Sequence, residues 1–226
     1  PKAYLDQFSE PGGYLEFAST GPISRLVRER VGQAMGAVAA PIGPIWESVA
    51  AAYDAARAAA ARLLGVSAEQ VTPVPSTSAG LFQAAFGLLG REGNVVVPSH
   101  EFPANLYPWL RAAAVGGPAV RRVDCPDGRV TQERLAAAVD HDTLAVSVSL
   151  VDFVTGFRVD VPALRQACGS ALLVVDAIQG LGAVEAHLEP ADVLVAGGQK
   201  WLRAGWGSGV MAAGERAREI LAPTLT

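Results

Sequence analysis

The sequence predicts a three-layer α-β-α protein built on a mostly parallel sheet. Short β-rich runs recur at "NVVVPS" (94–99), "AVRRVD" (119–124), "LAVSVSLVD" (144–152), "ALLVVDA" (171–177), "DVLVAG" (192–197) and "GSGVMAA" (207–213). Helix-like segments stand between most of them, which is the pattern of βαβ units covered on both faces. Half of the 226 residues are hydrophobic, enough to bury the core of one large domain, or of one domain and part of another.

The elements follow in order. Residues 1–22 read as an N-terminal arm and 23–226 as the main domain. Residues 23–65 are helical in pattern, with a "PIGP" break before the alanine-rich "WESVAAAYDAARAAAARLLG" and Gly65 as its stop. "VTPVP" is a short extended piece, since the residue before a proline avoids the helical region. A polar turn, "STS", leads into a helix from about Ala79. "EFPANLYPWLRAAA" begins as a loop and becomes helix. "TQERLAAAVD" and "VPALRQAC" supply two further helices. "GERAREILAPTLT" starts a helix with no closing element, so the chain reads as part of a longer protein.

Composition excludes several classes. The formal net charge is −4, without the clustered basic residues of a nucleic-acid surface. No apolar run approaches the roughly 20 residues needed to span a bilayer. The start, "PKAYLDQFSE", has no signal-peptide pattern, so a cytoplasmic protein is expected. Cys125 and Cys168 lack metal-ligand spacing and are expected as free thiols in a reducing compartment. No metal site is expected.

In open parallel sheets ligands bind beyond the carboxyl ends of the strands. The residues there are His100, Glu101 and Phe102; Asp152, Thr155 and Gly156; Asp176 and Gln179; and Gln199 and Lys200. Ser76, Thr77 and Ser78 precede the helix near Ala79. Lys200 stands out because the chain carries 18 Lys plus Arg, yet its only lysines are Lys2 and Lys200. Most lysines are solvated. A desolvated amine, however, has a lowered pKa and attacks carbonyls, which arginine does not do. Asp176, ending "LLVVD", suits a protonated ring nitrogen such as that of a pyridoxal cofactor, or else an ordinary helix cap. "STSAG" suits a phosphate at a helix N-terminus, or a plain N-cap. Phe102 suits a planar ring, or the core.

"VVDAIQGLGAVEAHLEPADVLVAGGQKWL" resembles the class V aminotransferase family of fold type I pyridoxal-phosphate enzymes, which includes cysteine desulfurases, kynureninases and isopenicillin-epimerase-like proteins. "YLEFASTGP" (14–22), "STSAG", "EFPANLYPW" (101–109) and "TGFRVDV" (155–161) resemble its other segments in the same order. The resemblance implies pyridoxal 5'-phosphate as cofactor, an amino acid as substrate and a homodimer. It implies that Lys200 holds the cofactor as an imine and moves protons at the substrate α-carbon. Asp176 would pair with the pyridine nitrogen and Gln179 with the phenolic oxygen. Thr77, Ser78 and Gln199 would bind the phosphate, and Phe102 would stack on the ring.

The family often carries an asparagine near Asp152 or Ser149. Its carboxylate-binding arginine belongs to a C-terminal domain not seen here, which leaves Arg203 and Arg158 as candidates by elimination. Trp206 or Ser208, in "AGWGSG", would touch a partner's phosphate, or form only a tight turn. His100, His141 and His187 match no catalytic position. Desulfurases usually have histidine where Phe102 stands, and neither cysteine falls where their nucleophile lies. The expected activity is therefore that of an aminotransferase or epimerase-like member. A desulfurase or lyase-type member and a catalytically silent module are the alternatives. A nicotinamide-binding domain is disfavoured, because no G-x-G-x-x-G follows an early strand.

Overall fold

The structure, a computed structural model, describes residues 2–40, 43 and 45–223. Seven strands form one sheet: β1 (Val71–Pro73), β2 (Asn94–Pro98), β3 (Ala119–Val123), β4 (Thr143–Ser149), β5 (Leu172–Asp176), β6 (Val193–Gly197) and β7 (Gly209–Ala213). Their order is β1-β7-β6-β5-β4-β2-β3. The block from β3 to β6 is parallel, while β7 runs antiparallel to both β6 and β1. A parallel return needs a crossover, usually a helix. The 198–208 connection contains none, so the chain turns straight back. The "VTP" piece, expected only as extended, becomes the edge strand β1.

The helices are α1 (Lys2–Leu5), α2 (Arg25–Ala39), α3 (Ile45–Leu64), α4 (Thr77–Phe86), α5 (Pro103–Ala114), α6 (Gln132–Ala136), α7 (Val161–Ala167) and α8 (Glu215–Ile220). Of the expected break between α2 and α3, Pro41, Ile42 and Pro44 lie outside the described residues, as does the 224–226 end.

Alternation along the strands divides the core into two layers. On β5, Leu173 and Val175 face a cluster with Leu64, Leu135 and Leu164. Leu172 and Val174 face the opposite cluster, with Leu81, Leu106 and Trp109. Helices α3, α6 and α7 thus cover one face, and α4 and α5 the other. At the amino ends of β5 and β6, Asp192 ties the layers together. It pairs with Arg165 and accepts the Leu173 N–H at 2.7 Å, while the same guanidinium donates to the Ala171 carbonyl at 2.6 Å.

Two boundaries differ from expectation for local reasons. Helix α4 starts at Thr77 rather than near Ala79, because Ser76 caps it by accepting the Ala79 N–H at 3.1 Å. Strand β4 ends at Ser149 rather than Asp152. The Asp152 carboxylate accepts the Thr155 N–H at 2.6 Å and folds 152–155 into a turn. Both cysteines are free and buried. Among the described residues, no helix is long and apolar enough to cross a membrane, and no acidic, histidine and cysteine cluster could hold a metal.

Candidate active site

The carboxyl ends of β5 and β6, the N-terminus of α4 and the start of α5 enclose a cavity of about 480 Å³. Its walls include Thr77, Ser78, Phe102, Asp176, Gln179, Gln199 and Lys200, so the fold brings all seven sequence-predicted residues to one place. Ser76, Ala18, Ser19, Phe153 and Trp206 complete the lining.

Asp176 is the last residue of β5 and is 2% exposed. Its carboxylate accepts the Ile178 N–H at 3.0 Å and makes no ion pair among the described residues. Burial pushes its pKa up to about 7, and the neighbouring Glu101 carboxylate adds to the rise. Lys200 follows β6. Burial lowers its amine below the usual lysine range, against the pull of Asp176. The Lys200 Nζ stands 5.5 Å from the centroid of the Phe102 ring, and Phe153 meets that ring edge-on at 5.2 Å.

Helix α4 approaches β6 closely. The Thr77 hydroxyl accepts the Gly197 N–H at 2.8 Å, which leaves its own O–H free to donate. A Cβ at Gly80 would come within 2.5 Å of Val195 Cγ1, so only glycine permits this contact. The helix N-terminus, with its free N–H groups and positive dipole end, is thereby aimed at the cavity rim, beside the Ser76 and Ser78 side chains.

The arm closes one side. Gly21 N–H donates to the Gln199 carbonyl at 2.7 Å. Gln179 Nε2 donates to the Ala18 carbonyl at 3.0 Å. Arg203 pairs with Glu10 at 2.7 Å, donates to the Pro22 carbonyl at 2.8 Å and lies over the Phe8 ring. Arg203 is therefore committed to the arm and does not line the cavity. Arg158 lies in a separate surface pocket with Glu185 and His187, and donates to the Glu185 carbonyl. Neither candidate substrate arginine reaches the cavity.

Neither candidate for the family asparagine reaches it either. Asp152 caps its own turn, and Ser149 is held by Glu101. Trp206 is 74% exposed at the rim, whereas the Ser208 hydroxyl is turned inward to the Gly205 carbonyl. His100 is exposed near Asp124, and His141 near Asp142.

Sequence reasoning gave Glu101 no role. Its two carboxylate oxygens accept the Ser149 N–H at 2.6 Å and the Ser149 Oγ–H at 2.5 Å, and Ser149 stands opposite Asp176 in the β4–β5 ladder. Phe153 was missed as well, and Trp201, which in "KWL" (200–202) counted only towards an aminotransferase or epimerase-like member, was given no place in the site. The one available signal was position: an acid directly before the stacking residue, and an indole directly after the lysine.

The sequence model of the family described as Aminotransferase class-V matches residues 22–226. The chain belongs to the class-V aminotransferase family. It is 35% identical over 138 residues to a probable cysteine desulfurase of Aeropyrum pernix, covering 58% of this chain and 33% of that protein. It is 30% identical over 162 residues to a kynureninase of Pseudomonas fluorescens, covering 66% of this chain and 37% of that protein. Among solved structures, the cystine C–S lyase C-DES bound to its product, cysteine persulfide, superposes with a TM-score of 0.86 at 18% identity. That match covers 94% of this chain and 60% of the other. The matched stretches thus span only about a third of these curated relatives.

The fold is that of the fold type I pyridoxal-phosphate enzymes, and the family's cofactor is pyridoxal 5'-phosphate. The donor set fits that group. A buried carboxylate with no ion pair among the described residues, an amine lowered by burial, a helix N-terminus with free hydroxyls and an aromatic face border one cavity.

Proposed function

We propose that the protein is a pyridoxal-phosphate-dependent lyase of the cysteine-desulfurase and C–S-lyase type, acting on a sulfur-bearing amino acid. The observation that carries it is that the Lys200 amine and the Asp176 carboxylate line one cavity, in a chain whose relatives bear desulfurase and lyase names. These names support the lyase reading over the aminotransferase or epimerase activity expected from Phe102. Cys125 and Cys168 are buried and do not line the cavity. The reading therefore takes sulfur away with the departing group rather than onto either of these cysteines.

When bound, the cofactor supplies an electron sink for negative charge at the substrate's α-carbon. This chain's residues do the rest. Lys200 holds the cofactor and takes the α-proton, and its lowered pKa makes the free amine available as a base. The electron pair left at the α-carbon would then form a Cα=Cβ double bond as the Cβ–S bond breaks, sulfur leaving with the bonding electrons as hydrosulfide from cysteine or as a persulfide anion from cystine. Asp176 keeps the ring nitrogen protonated. Gln179 donates to the phenolic oxygen. Thr77, Ser78 and Gln199, with the N-terminus of α4, hold the phosphate. Phe102 covers the ring and excludes water from one face. Two copies would form a homodimer with the exposed Trp206 near the shared rim, which light scattering can check. A cytoplasmic location suits the two free thiols.

The test is direct. Protein given pyridoxal phosphate should turn yellow, borohydride should fix the colour to the chain, and Lys200→Ala should abolish fixation. L-cysteine should then yield pyruvate, ammonia and sulfide, and L-cystine pyruvate, ammonia and cysteine persulfide. Transfer of the amino group to a keto acid without sulfur release would return the assignment to the aminotransferases. Failure to take up the cofactor would defeat it altogether.

A further inference from the structure

We propose that Trp201, together with the main chain of the N-terminal arm, fixes the side-chain amide of Gln179 in one orientation and so presents its spare N–H to the cofactor. The inference rests on the reading of this cavity as a pyridoxal-phosphate site. It adds a positioning residue that touches no reacting atom.

The donor and acceptor logic leaves one solution. Trp201 Nε1–H donates to Gln179 Oε1 at 3.0 Å, and Gln179 Nε2 donates to the Ala18 carbonyl at 3.0 Å. An indole N–H can only donate and a carbonyl oxygen can only accept. Flipping the amide would set donor against donor and acceptor against acceptor, and both bonds would be lost. With Oε1 and one N–H so engaged, the second N–H of Nε2 is unspent, and Gln179 lines the cavity. A free glutamine would expose either end of its amide to the ring. A phenolic oxygen that carries negative charge needs the donor.

Trp201 is itself held. Its ring stacks on Phe17 at 5.7 Å with planes 19° apart, and Phe17 meets Tyr14 edge-on at 5.1 Å. The Tyr14 hydroxyl donates to the Thr20 carbonyl at 2.7 Å, next to Gly21, which is bonded to Gln199. The arm therefore locks the indole, and the indole locks the amide. Phenylalanine would preserve the stack but lacks the N–H.

The experiment is a double-mutant cycle on cofactor-loaded protein with Trp201→Phe, Gln179→Ala and the pair. Trp201→Phe should weaken pyridoxal-phosphate binding about tenfold, the equivalent of one hydrogen bond. It should also move the visible absorption maximum in the same direction as Gln179→Ala. The double variant should be no worse than Gln179→Ala alone, because the indole acts through that amide. Wild-type binding and spectrum in Trp201→Phe, or additive losses in the pair, would overturn the inference and leave the cofactor site standing. A wild-type protein that gains no visible band would overturn both. Should Trp201→Phe not fold, the indole N–H resonance of Trp201 in ¹⁵N-labelled protein decides. It should move upfield in Gln179→Ala, and an unmoved resonance would overturn the bond itself.

Discussion

Gly21 and Lys200 meet backbone to backbone. A Cβ built on Gly21 would stand 1.9 Å from the Lys200 carbonyl oxygen and 2.9 Å from its carbon, while the Gly21 N–H reaches the neighbouring Gln199 carbonyl. The arm is thus seated on the loop that carries Lys200, with no room for any side chain between them. A glycine far ahead in sequence decides where that loop can lie.

Gly21→Ala should therefore lift the arm from the loop. Backbone cannot yield as a flexible side-chain tip can, so a loss of roughly 1–3 kcal/mol is expected from the overpacking. Cofactor affinity should fall with it, since Gln179 and Lys200 both depend on the seated arm. Thermal melting, cofactor titration and limited proteolysis of residues 8–20 check this. An alanine variant with an arm as protected as wild type would contradict the contact.

The Asp176 carboxyl keeps its proton up to about pH 7 in the folded chain, whereas an unfolded aspartate loses it near 3.9. Between those values the folded state binds more protons, so stability falls as pH rises. Cofactor-free protein should be more stable at pH 5 than at pH 8, by an amount on the order of a few kcal/mol. Asp176→Asn should flatten most of that slope. Glu101 is raised in the same direction by burial, so a residue of the slope should survive. Lys200 is lowered from 10.5 by burial, so its contribution has the opposite sign. Denaturant melts across this window decide it; stability that climbs from pH 5 to 8 would refute the buried carboxyl with its raised pKa.

Much of this site was legible because it sits at strand ends. β2, β5 and β6 are buried along their whole length, so their apolar runs announced them, with Asp176 as the polar end of β5 and Gln199 and Lys200 just beyond β6. What was not legible depends on contacts distant in sequence. Arg203 reads as a free cation, yet its partners Pro22 and Glu10 lie 181 and 193 positions away, and its backbone sits at φ 55°, a conformation no local motif demands. The antiparallel return of β7 follows from a loop without a helix, and the place of β1 in the sheet from pairing with β7. Neither is encoded in a strand's own periodicity.

Glu101 should prove to be a clamp between the Phe102 loop and β4. Glu101→Ala strands the Ser149 N–H and hydroxyl, and an unmade buried hydrogen bond costs about 1–3 kcal/mol. At about 2–4 °C per kcal/mol for a chain of this size, the melting temperature should drop by several degrees. Glu101→Gln keeps both contacts, its oxygen accepting the Ser149 N–H and its amide donating to Oγ, so it should melt near wild type. It also removes a negative neighbour from Asp176. The pH midpoint assigned to that aspartate should then move down, a change a purely mechanical clamp would not produce.

The contact of α4 with β6 sets where Thr77 and the helix N-terminus stand, and it can be tested by compensation. Gly80→Ala alone should destabilise by about 1–3 kcal/mol, because the Val195 side chain it meets is 1% exposed and has nowhere to retreat. Cofactor binding should weaken as the helix is pushed off Gly197. Val195→Ala alone should also destabilise, through the cavity it leaves. In the double variant the new methyl enters that cavity, so the two losses should be strongly non-additive, and the pair should be more stable than Gly80→Ala. Melting curves and cofactor titrations on all four proteins read the coupling. Simple addition of the two penalties would mean that the helix and the strand do not meet at these two positions.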